Sequence, residues 1–310
     1  MKKTIFILGS TGVGKSHLAL KISKQLNISD TSTAIVNADS LQFYKNLNIG
    51  TAKPTQEEML SVPHLLFDCL NYPKEATVAW YYNHFFSNIE QHNYKNFFIV
   101  GGSGFYIRAL ESGLYPNYEV SSLIKNKYET MGKEKGALHL HKILKEIDAK
   151  SADAIHGQDT YRLVRALSVI EASGKSLSEI KAQFAIEKKE FPYPFKKIAL
   201  FVEREELKKI VLKRIQFMLK SGFIEEVEDI LKKGQAHWKP LSSIGYKEVQ
   251  MYLRGDLDKK GLEDLILRST MALAKRQRTW FKKDKDIQWF HAINEIKQAE
   301  KSICIFLQKG

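Results

Sequence analysis

Residues Gly9-Ser10-Thr11-Gly12-Val13-Gly14-Lys15-Ser16 fit the pattern G-x-x-x-x-G-K-[ST], between a β-branched apolar run and a helical pattern. In that setting the glycines let backbone N–H groups turn toward a polyphosphate at a helix N-terminus. Lys15 then adds charge to the terminal phosphates, and the Ser16 hydroxyl can hold Mg²⁺. A phosphate site is expected from Gly9 to Ser16. The cradle leaves the chemistry open, because a kinase, a nucleotide switch and an enzyme with diphosphate as leaving group can all use it.

The elements that must position this loop can be read on either side of it. Thr4 to Leu8 reads as a strand, and Ser16 to Leu26, with Leu18, Ala19, Ile22 and Leu26 at helical spacing, as a helix. Two more apolar runs follow, Ala34 to Val36 ending at Asn37-Ala38-Asp39-Ser40, and Phe97 to Val100 ending at Gly101-Gly102-Ser103-Gly104. Continuous apolar strands separated by helices predict an α/β fold, with a P-loop NTPase-like parallel sheet covered by helices on both faces. Ligands of such sheets bind beyond the carboxyl ends of the strands, where all three polar or glycine-rich stretches fall.

From 118 to 195 a Lys- and Glu-rich helical pattern predicts an all-helical insertion, bounded by Pro192 and Pro194. The P-loop core is then 1–117 with 196–310. Its second part holds a strand at Lys197 to Val202, helical patterns over Glu205 to Lys233 and Gly261 to Lys283, a short strand at Ile287 to Phe290 and a terminal helix.

The chain of 310 residues carries 48 Lys+Arg against 35 Asp+Glu, a formal charge of +13, which favours a polyanionic partner, nucleic acid first. A solvated Lys-rich surface is the plainer reading of the same number. With 44% hydrophobic and 27% charged residues, a disordered or low-complexity chain is excluded. Cys69 and Cys304 form no C-x-x-C pair and read as small buried residues in a reducing compartment. The apolar run at the start stops at Gly9, too short for a signal peptide, and no run approaches a membrane span. A cytoplasmic monomer is expected. His139 and His141 would diverge on a helix, so no metal site is read there.

The stretch from Asp39-Ser40-Leu41-Gln42-Phe43-Tyr44 to Gly50-Thr51-Ala52-Lys53-Pro54 resembles the D-S-x-Q-x-Y…G-T-A-K-P signature of the tRNA dimethylallyltransferases, or tRNA isopentenyltransferases. Further blocks follow in family order. Pro63-His64-Leu65-Leu66-Phe67-Asp68 resembles P-H-H-L-I-D, and Gly101 to Tyr106 resembles G-G-T-x-x-Y. Asp159-Thr160-Tyr161-Arg162-Leu163-Val164-Arg165-Ala166-Leu167 resembles D-P-Q-R-x-x-R-A-L. Ile244 to Glu248 and Ala274-Lys275-Arg276-Gln277 match late blocks, so the resemblance runs from Ile5 to about Trp289.

The resemblance implies transfer of a dimethylallyl group from dimethylallyl diphosphate to N6 of adenosine 37, beside the anticodon of tRNAs reading codons that begin with U. It implies an extruded base, with Asp39 as the base that takes the amine proton and Ser103, in place of the usual threonine, orienting the amine. Lys15, Arg214, the loop amides and Mg²⁺ on Ser16 are then expected to stabilise the departing diphosphate. Contacts to the tRNA anticodon stem-loop are expected from Asp39, Ser40, Leu41, Gln42, Gly101, Ser103, Tyr161, Arg162, Leu163, Val164, Arg165, Lys275, Arg276 and Gln277. Without the signature, Asp39-Ser40 would read as a helix cap, Gly101 to Gly104 as a tight turn, and each basic residue as a surface charge.

Some positions depart from the family pattern: Tyr161 for glutamine, Gly157-Gln158 for Pro-Asn, Met271-Ala272 for Arg-Gln, and Ile210 for a further arginine. Rival functions are a P-loop kinase of a nucleoside or small metabolite, and an RNA-binding nucleotide switch. The kinase leaves the later blocks and the charge unexplained, and the switch gives Asp39 and Ser103 no chemical task. The adenylate isopentenyltransferases, which modify free AMP, would share the core without needing the basic helical insertion.

Overall fold

A computed structural model describes residues 1–28, 32–114, 116, 118–187 and 190–308. The chain divides into two compact units, one formed by 1–110 with 191–310 and the other by 111–190. In the first unit the order is β1 (Lys3–Gly9), α1 (Lys15–Ile28), β2 (Thr33–Asn37), α2 (Gln56–Ser61), β3 (His64–Leu65), α3 (Val78–Gln91), β4 (Asn96–Val100) and α4 (Gly104–Ser112), which runs across the boundary. The second unit continues with α5 (Ser122–Lys135), α6 (Ala137–Ile147), α7 (Ala149–Asp153), α8 (Thr160–Ser173) and α9 (Leu177–Glu187). The first unit resumes with β5 (Phe195–Phe201), α10 (Arg204–Lys220), α11 (Phe223–Lys232), a 3-10 turn at Lys239–Ser242, α12 (Tyr246–Leu253), α13 (Lys259–Phe281), β6 (Gln288–His291) and α14 (Ile296–Gln308).

The six strands form one parallel sheet in the order β3-β2-β4-β1-β5-β6. β2 and β4 are buried along their whole length and β1 from Thr4 onward, which is why their sequences are unbroken apolar runs rather than alternating ones. From β1 the chain steps past β4 to reach β2, and from β4 it steps past β1 to reach β5. The direction of winding reverses between β1 and β4. The crevice beyond the carboxyl ends of those two strands is the place where such sheets bind ligands.

Two sequence expectations change. The helical pattern over Glu205 to Lys233 is two helices, broken at Ser221-Gly222, where Gly222 takes φ 95° in the left-handed region that favours glycine. Cys69 is exposed and Cys304 half-buried, so neither is the buried residue expected. Cys69 follows the left-handed Asp68 in an irregular segment, with its thiol donating to the Phe67 carbonyl, and Cys304 lies on α14.

The helical unit has its own core, built on Tyr128, Leu140, Leu144, Ala152, Leu163, Val164, Ala166 and Leu167. Asp159 caps α8 by accepting from the Arg162 N–H, and left-handed Gly174 ends the helix, so two residues of local sequence fix its limits. Among the described residues no helix is long and apolar enough to cross a membrane.

Candidate active site

Three neighbouring strand ends supply the site. β1 opens into the phosphate loop, where Gly9, Gly12 and Gly14 all have positive φ (132°, 85° and 88°). Gly9 is also confined by β5, since a Cβ there would lie 2.4 Å from the Leu200 carbonyl oxygen. β4 opens into Gly101-Gly102-Ser103, and β2 into Ala38-Asp39. The Ala38 N–H donates to the Val100 carbonyl at 2.8 Å, and a Cβ on Gly101 would sit 2.1 Å from the Ala38 oxygen. Only a residue without a side chain lets these two strand ends come together.

Asp39 is fixed by its neighbours. Its N–H donates to Asn37 Oδ1 at 2.7 Å, and buried Asn37 donates through Nδ2 to the carbonyls of Asp39 (3.1 Å) and Leu66 (3.0 Å). Asp39 Oδ1 accepts from the Leu41 N–H at 3.0 Å, and no helix follows, so the cap reading gives way to an Asx turn. Asp39 Oδ2 has no hydrogen-bond partner among the described residues. That oxygen is available to take a proton. Ser103 stands beside this turn, its hydroxyl accepting from the Ser40 N–H at 3.4 Å. Gln42 donates through Nε2 to the carbonyls of Thr51 (3.1 Å) and Ala52 (3.3 Å), so its carbonyl oxygen is the end left for a base.

Two cations face Asp39. Lys15 Nζ donates to the Ser10 carbonyl at 2.7 Å, and burial pulls its ammonium down to about 8, opposed by the charge of Asp39 and reinforced by that of Arg214. Arg214 reaches in from α10, with Nη1 on Thr11 Oγ1 and Nη2 on the Thr51 carbonyl, both at 3.4 Å. Burial lowers its pKa while Asp39 opposes the shift. The two cations and the carboxylate therefore lie within electrostatic reach of one another. A diphosphate between Lys15 and Arg214 would relieve the burial cost of both.

The remaining loop residues divide their duties. The Ser10 hydroxyl donates to the Ala274 carbonyl at 3.0 Å and Val13 is buried, so these two can offer a ligand only their backbone. The Ser16 hydroxyl is exposed at the first turn of α1 and has no protein partner among the described residues. No group of three or more His, Cys, Asp or Glu side chains placed to hold a metal occurs among the described residues.

Three of the expected RNA contacts take other places. The Gln277 amide is engaged at both ends, Oε1 accepting from the Thr11 N–H at 2.9 Å and Nε2 donating to the Gly102 carbonyl at 3.0 Å. It ties the phosphate loop to the β4 turn. Leu163 and Val164 are buried in the helical unit, because the inner face of α8 carries its core. Tyr161, Arg162 and Arg165 are exposed on that helix, as are Lys275 and Arg276 on α13. Asn37 and Glu226 were not picked out from the sequence. Glu226 accepts from the distant 48–50 segment, and Asn37, besides its local bonds to Asp39, reaches the Leu66 carbonyl, contacts that no local spacing signals.

Comparison with known proteins shows the family and the fold. The family model described as IPP transferase matches residues 42–284. A tRNA dimethylallyltransferase of Bdellovibrio bacteriovorus is 41% identical over 312 residues, 99% of this chain and 99% of the relative. The crystal structure of the full-length tRNA isopentenylpyrophosphate transferase from Bacillus halodurans superposes with a TM-score of 0.69 at 28% identity, covering 100% of this chain and 98% of the other. A eukaryotic dimethylallyltransferase acting on tRNA shares the fold at TM-score 0.78 and 23% identity, over 98% of this chain and 78% of the other. With a family model spanning most of its length over a matching fold, this chain belongs to the IPP transferase family of tRNA-modifying prenyltransferases.

Proposed function

We propose that the enzyme transfers a dimethylallyl group from dimethylallyl diphosphate to N6 of adenosine 37 in tRNAs reading codons that begin with U, releasing diphosphate. The observation that carries this reading is the common crevice: one carboxylate oxygen of Asp39 without a hydrogen-bond partner among the described residues, the Ser103 hydroxyl beside the Asp39 turn, and Lys15 with Arg214 in electrostatic reach. An adenine amine is a weak nucleophile, its lone pair delocalised into the ring. As N6 bonds to the allylic C1, the C1–O bond breaks, the electron pair leaves on the diphosphate, and the N6 proton passes to Asp39. Lys15, Arg214 and the loop amides are in place before that charge grows, so they stabilise it without rearranging.

Mg²⁺ fits the exposed Ser16 hydroxyl together with substrate oxygens, a hard-oxygen donor set, and would supply further neutralisation of the diphosphate. Around the base, Ser40, Leu41 and Gln42 line the same turn as Asp39, and Gln42 offers its carbonyl oxygen. The exposed Tyr161, Arg162 and Arg165, with Lys275 and Arg276, are proposed to hold the anticodon stem-loop through phosphates and stacking. The helical unit, 111–190 rather than the 118–195 read from the sequence, is proposed to be the insertion that meets the tRNA. The enzyme is proposed to act as a cytoplasmic monomer.

The test supplies purified protein with Mg²⁺, dimethylallyl diphosphate and an anticodon stem-loop bearing adenine at position 37. Label is expected in the RNA and not in free AMP, with Asp39→Ala lowering kcat by ~10²–10⁴ while RNA affinity holds. Steady ATP or GTP hydrolysis without prenylated RNA would refute it.

A further inference from the structure

In the loop that follows the Asp39 turn, which Lys53 also ties to Tyr44, Asn48 and Asp68, three consecutive N–H groups converge on a single carboxylate. Glu226, on the first turn of α11, accepts through Oε2 from the N–H groups of Asn48 (2.9 Å) and Ile49 (2.8 Å). Through Oε1 it accepts from the Gly50 N–H (3.3 Å) and the Tyr246 hydroxyl (2.7 Å). Three consecutive backbone donors converging on one point form a nest, an anion site that here is filled from within the chain. The approach is close, because a Cβ on Gly50 would lie 2.2 Å from the Phe223 ring. Either side of the clamp, Asn46 (φ 70°) and Ala52 (φ 47°) are left-handed without being glycine, conformations that persist only where surrounding contacts over-determine them.

What the clamped segment presents is the Thr51 carbonyl. That one oxygen accepts from Arg214 Nη2 and from Gln42 Nε2. The Thr51 hydroxyl shares its one proton between the carbonyls of Leu47 (2.8 Å) and Asn48 (3.1 Å), which ties residue 51 to the clamped segment. The cation for the leaving group and the amide beside the base thus share an anchor set by Glu226.

We propose that Glu226 is a positioning residue, which holds Arg214 and Gln42 in register through the 48–51 segment. The proposal deepens the functional reading above and rests on it for the roles of Arg214 and Gln42. Glu226→Gln replaces an acceptor with an N–H group facing the loop's own N–H groups. Tyr246→Phe removes one donor from the same carboxylate and leaves the three backbone donors in place.

Full-length wild type and both variants are titrated with inorganic diphosphate and Mg²⁺ by calorimetry, then assayed for prenyl transfer. Glu226→Gln is expected to weaken diphosphate about tenfold, equivalent to about 1.4 kcal/mol, and to lower kcat. Tyr246→Phe is expected to lower the melting temperature while diphosphate affinity and kcat stay within about twofold of wild type. Glu226→Asp keeps the charge with a shorter reach, is expected to fall between, and serves if the Gln variant does not fold. Wild-type diphosphate affinity in either Glu226 variant would overturn the proposal, as would equal losses in Glu226→Gln and Tyr246→Phe. If the wild type transfers no prenyl group, the functional reading fails, while the diphosphate comparison still decides the clamp.

Discussion

Replacing Gln277 by alanine separates two roles that its position in the chain leaves confounded. Its amide joins the Thr11 N–H to the Gly102 carbonyl, bonds of 2.9 and 3.0 Å that hold the phosphate loop against the β4 turn. Each such bond contributes roughly 0.5–1.5 kcal/mol, and an orphaned N–H adds a further cost of about 1–3 kcal/mol unless water replaces the partner. Taking about 1.5–3 kcal/mol as the loss borne by the ordered loop, diphosphate affinity should fall about 10- to 100-fold. Calorimetry with inorganic diphosphate and Mg²⁺ reads that loss, and filter binding reads affinity for the anticodon stem-loop. Gln277→Ala should hit the first much harder than the second, whereas Lys275→Ala with Arg276→Ala should do the reverse. Unchanged diphosphate affinity with weakened RNA binding would refute the bracket and return Gln277 to the RNA surface.

Two further outcomes follow from the same geometry. A Cβ at Gly102 would meet the Gln277 side chain at 2.3 Å, which can swing aside, while a Cβ at Gly101 would meet the Ala38 backbone oxygen at 2.1 Å, which cannot. Gly102→Ala should mimic Gln277→Ala with a small drop in melting temperature, and Gly101→Ala should show the larger drop; the opposite order would contradict the packing. For Lys15, held down at about 8 by burial, a bound diphosphate favours the charged form, so binding above that pH must take up a proton. The affinity advantage of wild type over Lys15→Met should be full below pH 8 and shrink above it by up to about tenfold per pH unit. Titration at about pH 8.5 in two buffers of different ionisation enthalpy measures the uptake, and its absence would refute the shifted lysine.

What could be read from the chain was what depends on neighbours in sequence. The phosphate loop declares itself because positive φ at Gly9, Gly12 and Gly14 demands glycine at those spacings. β1, β2 and β4 were legible because strands covered on both faces must be continuously apolar. The split between α10 and α11 was missed because Ser221-Gly222 interrupts no apolar period, and β3 because two residues carry no pattern. The site was half legible. Asp39, Ser103, Lys15 and Arg214 lie around one crevice, while Asn37, Glu226 and Gln277 each reach partners across long stretches of chain. Leu163 and Val164 sat within a matched block, but the helical period that also sends them inward was outweighed by the block.

The order of the sheet also governs how the molecule is made. Thr4 on β1 pairs with Phe195 on β5, and the helix that fastens the phosphate loop begins only at Lys259. A nascent chain stalled before Phe195 carries β1 with one flank bare, an open edge that recruits other chains. Such distant pairing also makes folding slow relative to a helical bundle of equal length. Premature termination should therefore yield insoluble fragments rather than a weakened enzyme.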